Sequence, residues 1–189
     1  MRTVKYSDVR DYIKSGDRME FASHGFVGWA IRLFTRKIVN HTAMCLSIME
    51  FSPDPPHQKF LLEADFPRVE LNPISRDLDN YTGKVYFTPL IATDAQRQTM
   101  ADWALQQAGK KYDLKNLFKN AIARVNANAA DLFCSELYFI ALVAAGKIIG
   151  AELRGDSVVD HNGLPIKAPV PGGFDIYNIW GETVQVVWG

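Results

Sequence analysis

Hydrophobic residues, either alternating with polar ones or in short continuous runs, predict six strands along the chain. Met19 and Phe21 alternate with polar neighbours in RMEFAS, which indicates a strand with one buried face. HTAMCLSIME is apolar on both sides, which is typical of a strand in the middle of its sheet. In chain order, the predicted strands cover 18–23, 41–50, 59–65, 69–74, 83–90 and 183–188.

Apolar residues three and four positions apart predict helices instead. Thr93 and Gln96 have the spacing of a capping box, and Gly109 follows where the C-terminal glycine of that helix is expected. The predicted helices cover 3–14, 25–37, 93–109, 112–125 and 130–146. Strands gather in the first half and helices in the second, without regular alternation. We therefore expect an α+β fold, with an antiparallel sheet packed against helices in one domain that spans 1–189.

Composition narrows the class of protein. The 189 residues are 48% hydrophobic and 22% charged with a formal net charge of zero, which excludes a disordered, fibrous or coiled-coil chain. Lysine and arginine are scattered, so we expect no nucleic-acid partner. The N-terminus shows no apolar leader, and the longest apolar run, LYFIALVAAG, is too short to span a bilayer. We expect a cytoplasmic protein without a transmembrane segment.

The candidate chemistry starts from a cysteine. Cys134 lies in the first turn of the helix predicted at 130–146, where the helix dipole favours a thiolate and free N–H groups can hold an oxyanion. Such a nucleophile needs a base and a group that orients the base. His41 alone among the four histidines begins a predicted buried strand, and Glu63 lies on a neighbouring predicted strand.

Each of these residues also has an ordinary structural interpretation. Cys134 is equally consistent with a small core residue, His41 with a hydrogen-bonded or surface histidine, and Glu63 with a solvated strand residue. The spacing of His41 and Cys134 along the chain says nothing about their distance in the fold. The residue pattern alone therefore leaves the triad open.

Five segments, in this order, resemble the permuted branch of the NlpC/P60 papain-like superfamily: SGDRMEFAS, NHTAMCLSI, LLEAD, GKKYDLKNLF and LFCSELYFIAL. This branch includes the YiiX/YaeF-like proteins and, more distantly, lecithin:retinol acyltransferase-like enzymes. In ordinary NlpC/P60 domains the cysteine segment comes first, whereas here NHTAM precedes LFCSEL. The resemblance covers roughly 15–140 with a proline-containing tail, APVPGGFDI, and it implies a circularly permuted papain-like fold with the nucleophile at a helix N-terminus.

The resemblance also implies roles for individual residues. It makes Cys134 the nucleophile, His41 the base and Glu63 the orienting carboxylate. Tyr112 matches a tyrosine that precedes the nucleophile helix, and it is implied to line the site or help hold the oxyanion. Glu136, in the CSE pattern, is expected to brace the helix start.

The predicted function is a cysteine-dependent acyl hydrolase of the amidase or peptidase type, which acts through a thioester on a peptide-like or amino-acyl amide bond. Two alternatives remain: a lipid-directed acyltransferase or thioesterase, and a catalytically silent binding protein of the same fold. Trp29, on the helix predicted at 25–37, would wall the cleft and contact substrate, although an ordinary solvated helix face explains it as well. Since relatives that act on cell walls are exported, a virion or phage-encoded origin also stays open.

We expect no cofactor and no metal. His41 and Cys45 have an H-x3-C spacing found in zinc proteins, but no second pair with ligand spacing accompanies them. Cys45 is instead expected to be a core residue, and both cysteines to be free thiols.

Overall fold

The structure is a computed structural model that describes residues 1–23, 36–48, 58–65, 68–79, 81–111, 129–154 and 157–188. Helices and strands follow one another along these ranges in the order β1 (Thr3–Lys5), α1 (Tyr6–Val9), a 3-10 turn (Arg10–Tyr12), β2 (Arg18–Ala22), β3 (His41–Ile48), β4 (Gln58–Asp65), β5 (Arg68–Pro73), α2 (Ile74–Asp79), β6 (Lys84–Thr88), α3 (Asp94–Gln107), α4 (Ala129–Ala144), β7 (Ala151–Arg154), β8 (Ser157–Asp160), a second 3-10 turn (Phe174–Ile176) and β9 (Val184–Val187).

Seven of the strands form one sheet, in the order β1-β9-β6-β2-β3-β4-β5. The β1–β9 pair is parallel and the other neighbours are antiparallel. β7 and β8 form a separate hairpin. The predicted α+β fold with an antiparallel sheet is therefore confirmed, with β3 inside the sheet as its apolar pattern indicated.

Alternation along β3 divides the core between the two faces of the sheet. Met44 and Leu46 lie in one buried cluster with residues of α3 and α4, on what we call the major face. Ala43 and Cys45 lie in a second cluster with Ile74 and other residues of α2, on what we call the minor face. Successive strand residues point to opposite faces, so the two clusters share β3 while packing against different helices.

Ion pairs that involve the buried residues Asp17 and Arg18 join α3 and the C-terminal tail to the start of β2. Asp17, 1% exposed, accepts from Arg97 of α3 at 2.8 Å. Arg18 is buried next to it and donates to Asp175 of the second 3-10 turn at 2.7 Å. The Arg18 guanidinium also lies 4.5 Å from the centre of the Trp180 ring, where the cation is favoured by the π-face. These contacts fix α3 and the C-terminal tail relative to β2.

Some local predictions differ from the structure. The segment predicted as a helix at 3–14 begins as β1, because Thr3–Lys5 pair with the distant strand β9. α2 and the β7–β8 hairpin were not predicted, since six helical residues or four-residue strands give too little periodicity. The helix predicted at 112–125 lies outside the described residues, as does 25–35 of the helix predicted at 25–37.

Candidate active site

Two neighbouring strands place an imidazole beside a carboxylate. β3 and β4 are antiparallel, with Met44 opposite Leu62, and this register brings the start of β3 to the end of β4. Nε2 of His41 lies 2.8 Å from Oε2 of Glu63, a good hydrogen-bond distance. The side chain of His41 is 25% exposed and that of Glu63 is 14% exposed, so the pair lies at the edge of the core.

An aromatic residue on β2, the other strand next to β3, contacts the His41 ring. Phe21 of β2 is directly opposite His41, and the two ring centres are 5.7 Å apart at an angle of 45°. Phe21 in turn contacts Tyr81 edge-on, with 5.2 Å between ring centres. The imidazole therefore has limited freedom to turn away from Glu63.

Cys134 of α4 completes the group. It belongs to the core of the major face and is 1% exposed, and it hydrogen-bonds the His41 ring. His41 is the first residue of β3, so its ring lies at the end of the sheet, within reach of elements on both faces. Because Glu63 occupies Nε2, the ring nitrogen left for the Cys134 sulfur is Nδ1.

The electrostatics of the site favour a charged imidazole. Burial by itself lowers the pKa of His41, but the negative charges and hydrogen bonds of Cys134 and Glu63 outweigh it and hold that pKa well above its usual value. Burial likewise tends to raise the pKa of Glu63. Hydrogen bonding and the charge of His41, with a further hydrogen bond from Asp77, keep the Glu63 pKa below its usual range.

Asp77 is a site residue that the sequence analysis missed. It lies on α2 and shares a hydrogen bond with Glu63. Burial and the adjacent Glu63 charge raise the pKa of Asp77 to about 7, against the opposing influence of Arg76 and His41. Its signal in the sequence is faint: Asp77 follows Ile74 by three positions, which is an inward position only once α2 is known to be a helix.

The expected position of Cys134 in the first turn of its helix is not confirmed. The described part of α4 starts at Ala129, one residue before the predicted start at 130, which makes Cys134 its sixth described residue. In the second turn a backbone N–H normally bonds the carbonyl four residues before it, so it is not left over for an oxyanion.

Other predicted residues are distributed as follows. Tyr112 and Trp29 lie outside the described residues, as do His24 and His57. Glu136 is half-buried in α4, and burial raises the pKa of its carboxyl. Cys45 is fully buried in the minor face, as predicted, and neither Cys45 nor Cys134 forms a disulfide.

A groove of about 780 Å³ lies elsewhere on the molecule, lined among others by Arg10, Lys59, Arg76 and Trp188. Neither His41, Glu63 nor Cys134 lines it. This groove is therefore separate from the candidate active site.

Comparison with known proteins identifies a solved structure of similar fold. No known family profile and no curated protein sequence matches the chain. Among solved structures, the chain is similar to the metalloprotein YiiX from Escherichia coli O157:H7, with a TM-score of 0.62 and 18% identity, over 93% of this chain and 98% of that one. At this identity the likeness shows the fold alone. It confirms the mixed α+β, YiiX-like architecture that the sequence resemblance implied.

Two further properties of the described residues bear on function. Along the described ranges, no three or more His, Cys, Asp or Glu side chains are arranged to hold a metal ion. Among the helices described, none combines the length and the apolar character needed to cross a bilayer.

Proposed function

We propose that this chain is a cysteine-dependent acyl hydrolase of the amidase or peptidase type, with Cys134 as nucleophile, His41 as base and Glu63 as orienting carboxylate. The observation that carries the proposal is the position of the imidazole. It is held between a carboxylate at 2.8 Å and the only cysteine in the described chain that reaches it. A nucleophile, a base and a third group in hydrogen-bonding sequence are what thiol-based acyl transfer requires.

The reaction follows from the two ring nitrogens. Nδ1 of His41 accepts the proton of the Cys134 thiol, and the thiolate attacks the carbonyl carbon of an amide substrate. The imidazolium then gives that proton to the leaving amine as the C–N bond breaks, which leaves an acyl thioester on Cys134. His41 next takes a proton from water, the resulting hydroxide attacks the thioester, and the thiol is restored as the carboxylic acid departs.

Glu63 determines which ring nitrogen can act as the base. With Nε2–H donated to the Glu63 carboxylate, the free lone pair of the neutral ring is on Nδ1, the nitrogen that remains for the sulfur. The negative charge of Glu63 also stabilises the imidazolium formed after proton transfer, in agreement with the raised pKa of His41. Glu63 itself keeps its charge throughout, because its own pKa is lowered.

Access to the sulfur requires movement. Cys134 is 1% exposed, whereas the His41 side chain is 25% exposed, so the approach to the pair is from the imidazole side. A substrate carbonyl must displace the groups that cover the sulfur before it reaches attack distance. We propose that a peptide-like or amino-acyl amide does so.

The proposal is tested by trapping the thioester. The protein is incubated with a library of peptide and amino-acyl amides and, in parallel, of fatty-acyl esters, quenched in acid, and mapped by peptide mass spectrometry. We expect an acyl adduct on the peptide that contains Cys134 after exposure to amides. The adduct should persist in Cys45→Ala and disappear in Cys134→Ala and His41→Ala.

Two results would overturn the proposal. Acylation of Cys134 by the lipid esters alone would replace the amidase with a lipid-directed acyl transfer activity. Absence of any Cys134 adduct across the whole library, or equal modification of Cys45, would show that the site has no acyl-transfer chemistry.

A further inference from the structure

A short helix places an acidic side chain beside Glu63 of the candidate triad. α2 packs on β4 and β5, with Ile74 and Leu78 buried in the core of the minor face. Asp77 stands three positions after Ile74 and directly before Leu78, so it shares the inward side of the helix. From there it meets Glu63 of β4.

The contact between these two side chains needs a proton. Two ionised carboxylates are acceptors only and cannot hydrogen-bond each other, whereas a carboxylic acid can donate to a carboxylate. Asp77 Oδ2 is buried and has no donor within reach among the described residues. A proton on Asp77 that is shared with Glu63 satisfies both observations.

We propose that Asp77 is a positioning residue, which donates a hydrogen bond from its protonated carboxyl group to Glu63 and so holds that carboxylate against His41. This inference rests on the proposed function and adds a fourth member to its hydrogen-bonded series: Asp77, Glu63, His41 and Cys134. Asp77 acts through Glu63 and does not touch the reacting atoms.

The surrounding charges determine which carboxyl group carries the proton. Glu63 faces the His41 ring at 2.8 Å and is the better anion of the two. Asp77 faces the Glu63 charge, with His41 beyond it and Arg76 beside it on the same helix. Both cations favour ionised Asp77, but burial and the Glu63 charge outweigh them and raise the Asp77 pKa to about 7. Below pH 7 the proton is therefore mostly on Asp77, and it leaves as the pH rises through that value.

The inference has a direct spectroscopic test that does not depend on turnover. The protein is labelled with ¹³C at aspartate side-chain carboxyls, and the signal that Asp77→Asn removes is followed by NMR from pH 3 to pH 9. We expect this carboxyl to titrate near 7. The Asp79→Asn spectrum, which removes the signal of an exposed aspartate at the end of the same helix, is the matched control for the assignment. A titration of Asp77 in the ordinary acidic range of an aspartate would overturn the inference.

Three variants then separate positioning from a merely structural role. Asp77→Asn keeps a hydrogen-bond donor but cannot ionise, Asp77→Ala removes the donor, and Asp79→Asn is the control. We expect the His41 ring to titrate at lower pH in Asp77→Ala, because Glu63 is held less firmly, while Asp77→Asn and Asp79→Asn keep the His41 titration near that of the parent. When kcat is measured on a substrate that the parent turns over, it should fall roughly 10-fold or more in Asp77→Ala. Asp77→Asn should match the parent at pH 6.

An unchanged His41 titration in Asp77→Ala would contradict the positioning role. If no variant or parent turns over any acyl substrate, the proposed function fails while the NMR titrations still decide the Asp77–Glu63 contact. If Asp77→Ala does not fold, the titration of Asp77 in the parent and its comparison with Asp77→Asn decide whether Asp77 is protonated against Glu63.

Discussion

His41 and Glu63 lie on adjacent antiparallel strands, and their side-chain atoms Nε2 and Oε2 are 2.8 Å apart although 22 positions separate them in the chain. The contact depends on the register of β3 and β4, and it leaves the second ring nitrogen to Cys134. A carboxylate–imidazole–thiol series thus follows from strand pairing and the packing of one helix.

Removing the charge of Glu63 should impair the chemistry without unfolding the protein. In Glu63→Gln the side chain keeps its size, but the imidazolium loses its anionic partner and the ring loses its fixed tautomer. We expect kcat to fall roughly 10²–10⁴-fold, as when the orienting carboxylate of a catalytic triad is neutralised. The His41 pKa should fall toward its usual value. Steady-state kinetics and NMR titration of the ring measure the two effects.

The matched control for that substitution is Glu70→Gln. Glu70 is the register partner of Glu63 on β5, so it tests the loss of a carboxylate at the same level of the sheet. We expect activity close to that of the parent. Equal losses in the two variants would mean that Glu63 acts through the general charge of the sheet rather than through His41.

Asp77 should make stability depend on pH with a definite sign. An ordinary aspartate carboxyl has a pKa of 3.8, whereas the pKa of Asp77 in the folded protein is about 7. Between these values the folded state keeps a proton that the unfolded state has released, so the contribution of Asp77 to stability is full below about 4 and lost as the pH rises through 7. Because Asp77 is partly exposed, we expect solvent screening to reduce this contribution to on the order of 1 kcal/mol.

Urea unfolding at a series of pH values measures this effect. The free energy of unfolding of the parent should decline relative to that of Asp77→Asn between pH 4 and pH 7. A constant difference between the two proteins over this interval would show that Asp77 titrates normally in the folded state.

Tyr138 connects the nucleophile helix to the turn before β2. Its hydroxyl donates to the Gly16 carbonyl at 2.7 Å, and both groups are buried. Tyr138→Phe preserves the ring packing but leaves that carbonyl without its donor, so we expect a loss of about 1–2 kcal/mol in the free energy of unfolding. Denaturant titration should show no comparable loss for Tyr12→Phe, whose residue is 75% exposed. Equal stability of Tyr138→Phe and the parent would show that the buried hydrogen bond adds nothing.

The N-terminus of α3 gives an independent test of the predicted capping box. Thr93 Oγ1 accepts from the Gln96 backbone N–H at 3.3 Å, and Gln96 Oε1 accepts from the Thr93 N–H at 3.1 Å. Thr93→Ala should cost about 1 kcal/mol of stability. Thr99→Ala makes the same substitution inside the helix, where alanine is the better helix former, and should cost nothing. Thermal unfolding compares the two; equal effects would contradict a capping role for Thr93.

Periodicity predicted the elements whose burial pattern is strong. Met19 and Phe21 alternate because both lie in the core of the minor face. Thr93 with Gln96 marks the start of α3 because a capping box is encoded within four residues. α2 escaped prediction because its six residues fix no period of their own and are held by packing on β4 and β5. Local sequence therefore predicts long elements well and short packed ones poorly.

The site residues likewise divide into those that the sequence could predict and those that depend on packing. His41 and Glu63 could be proposed from the sequence because each belongs to a recognisable strand, and Cys134 because of the segment it shares with a known superfamily. The contact of Asp77 with Glu63 depends on where α2 packs, which no spacing in the sequence encodes.

The most direct test of the account is the rate at which iodoacetamide modifies Cys134 at pH 7, followed by intact-protein mass spectrometry. Cys45→Ala removes the second thiol, so a single modification reports on Cys134 alone. If His41 activates Cys134, this variant should react faster than a free small-molecule thiol, and adding His41→Ala should lower the rate roughly 10-fold or more. The same slow rate with and without His41, or modification only after denaturant is added, would contradict the claim that these two side chains form a reactive pair.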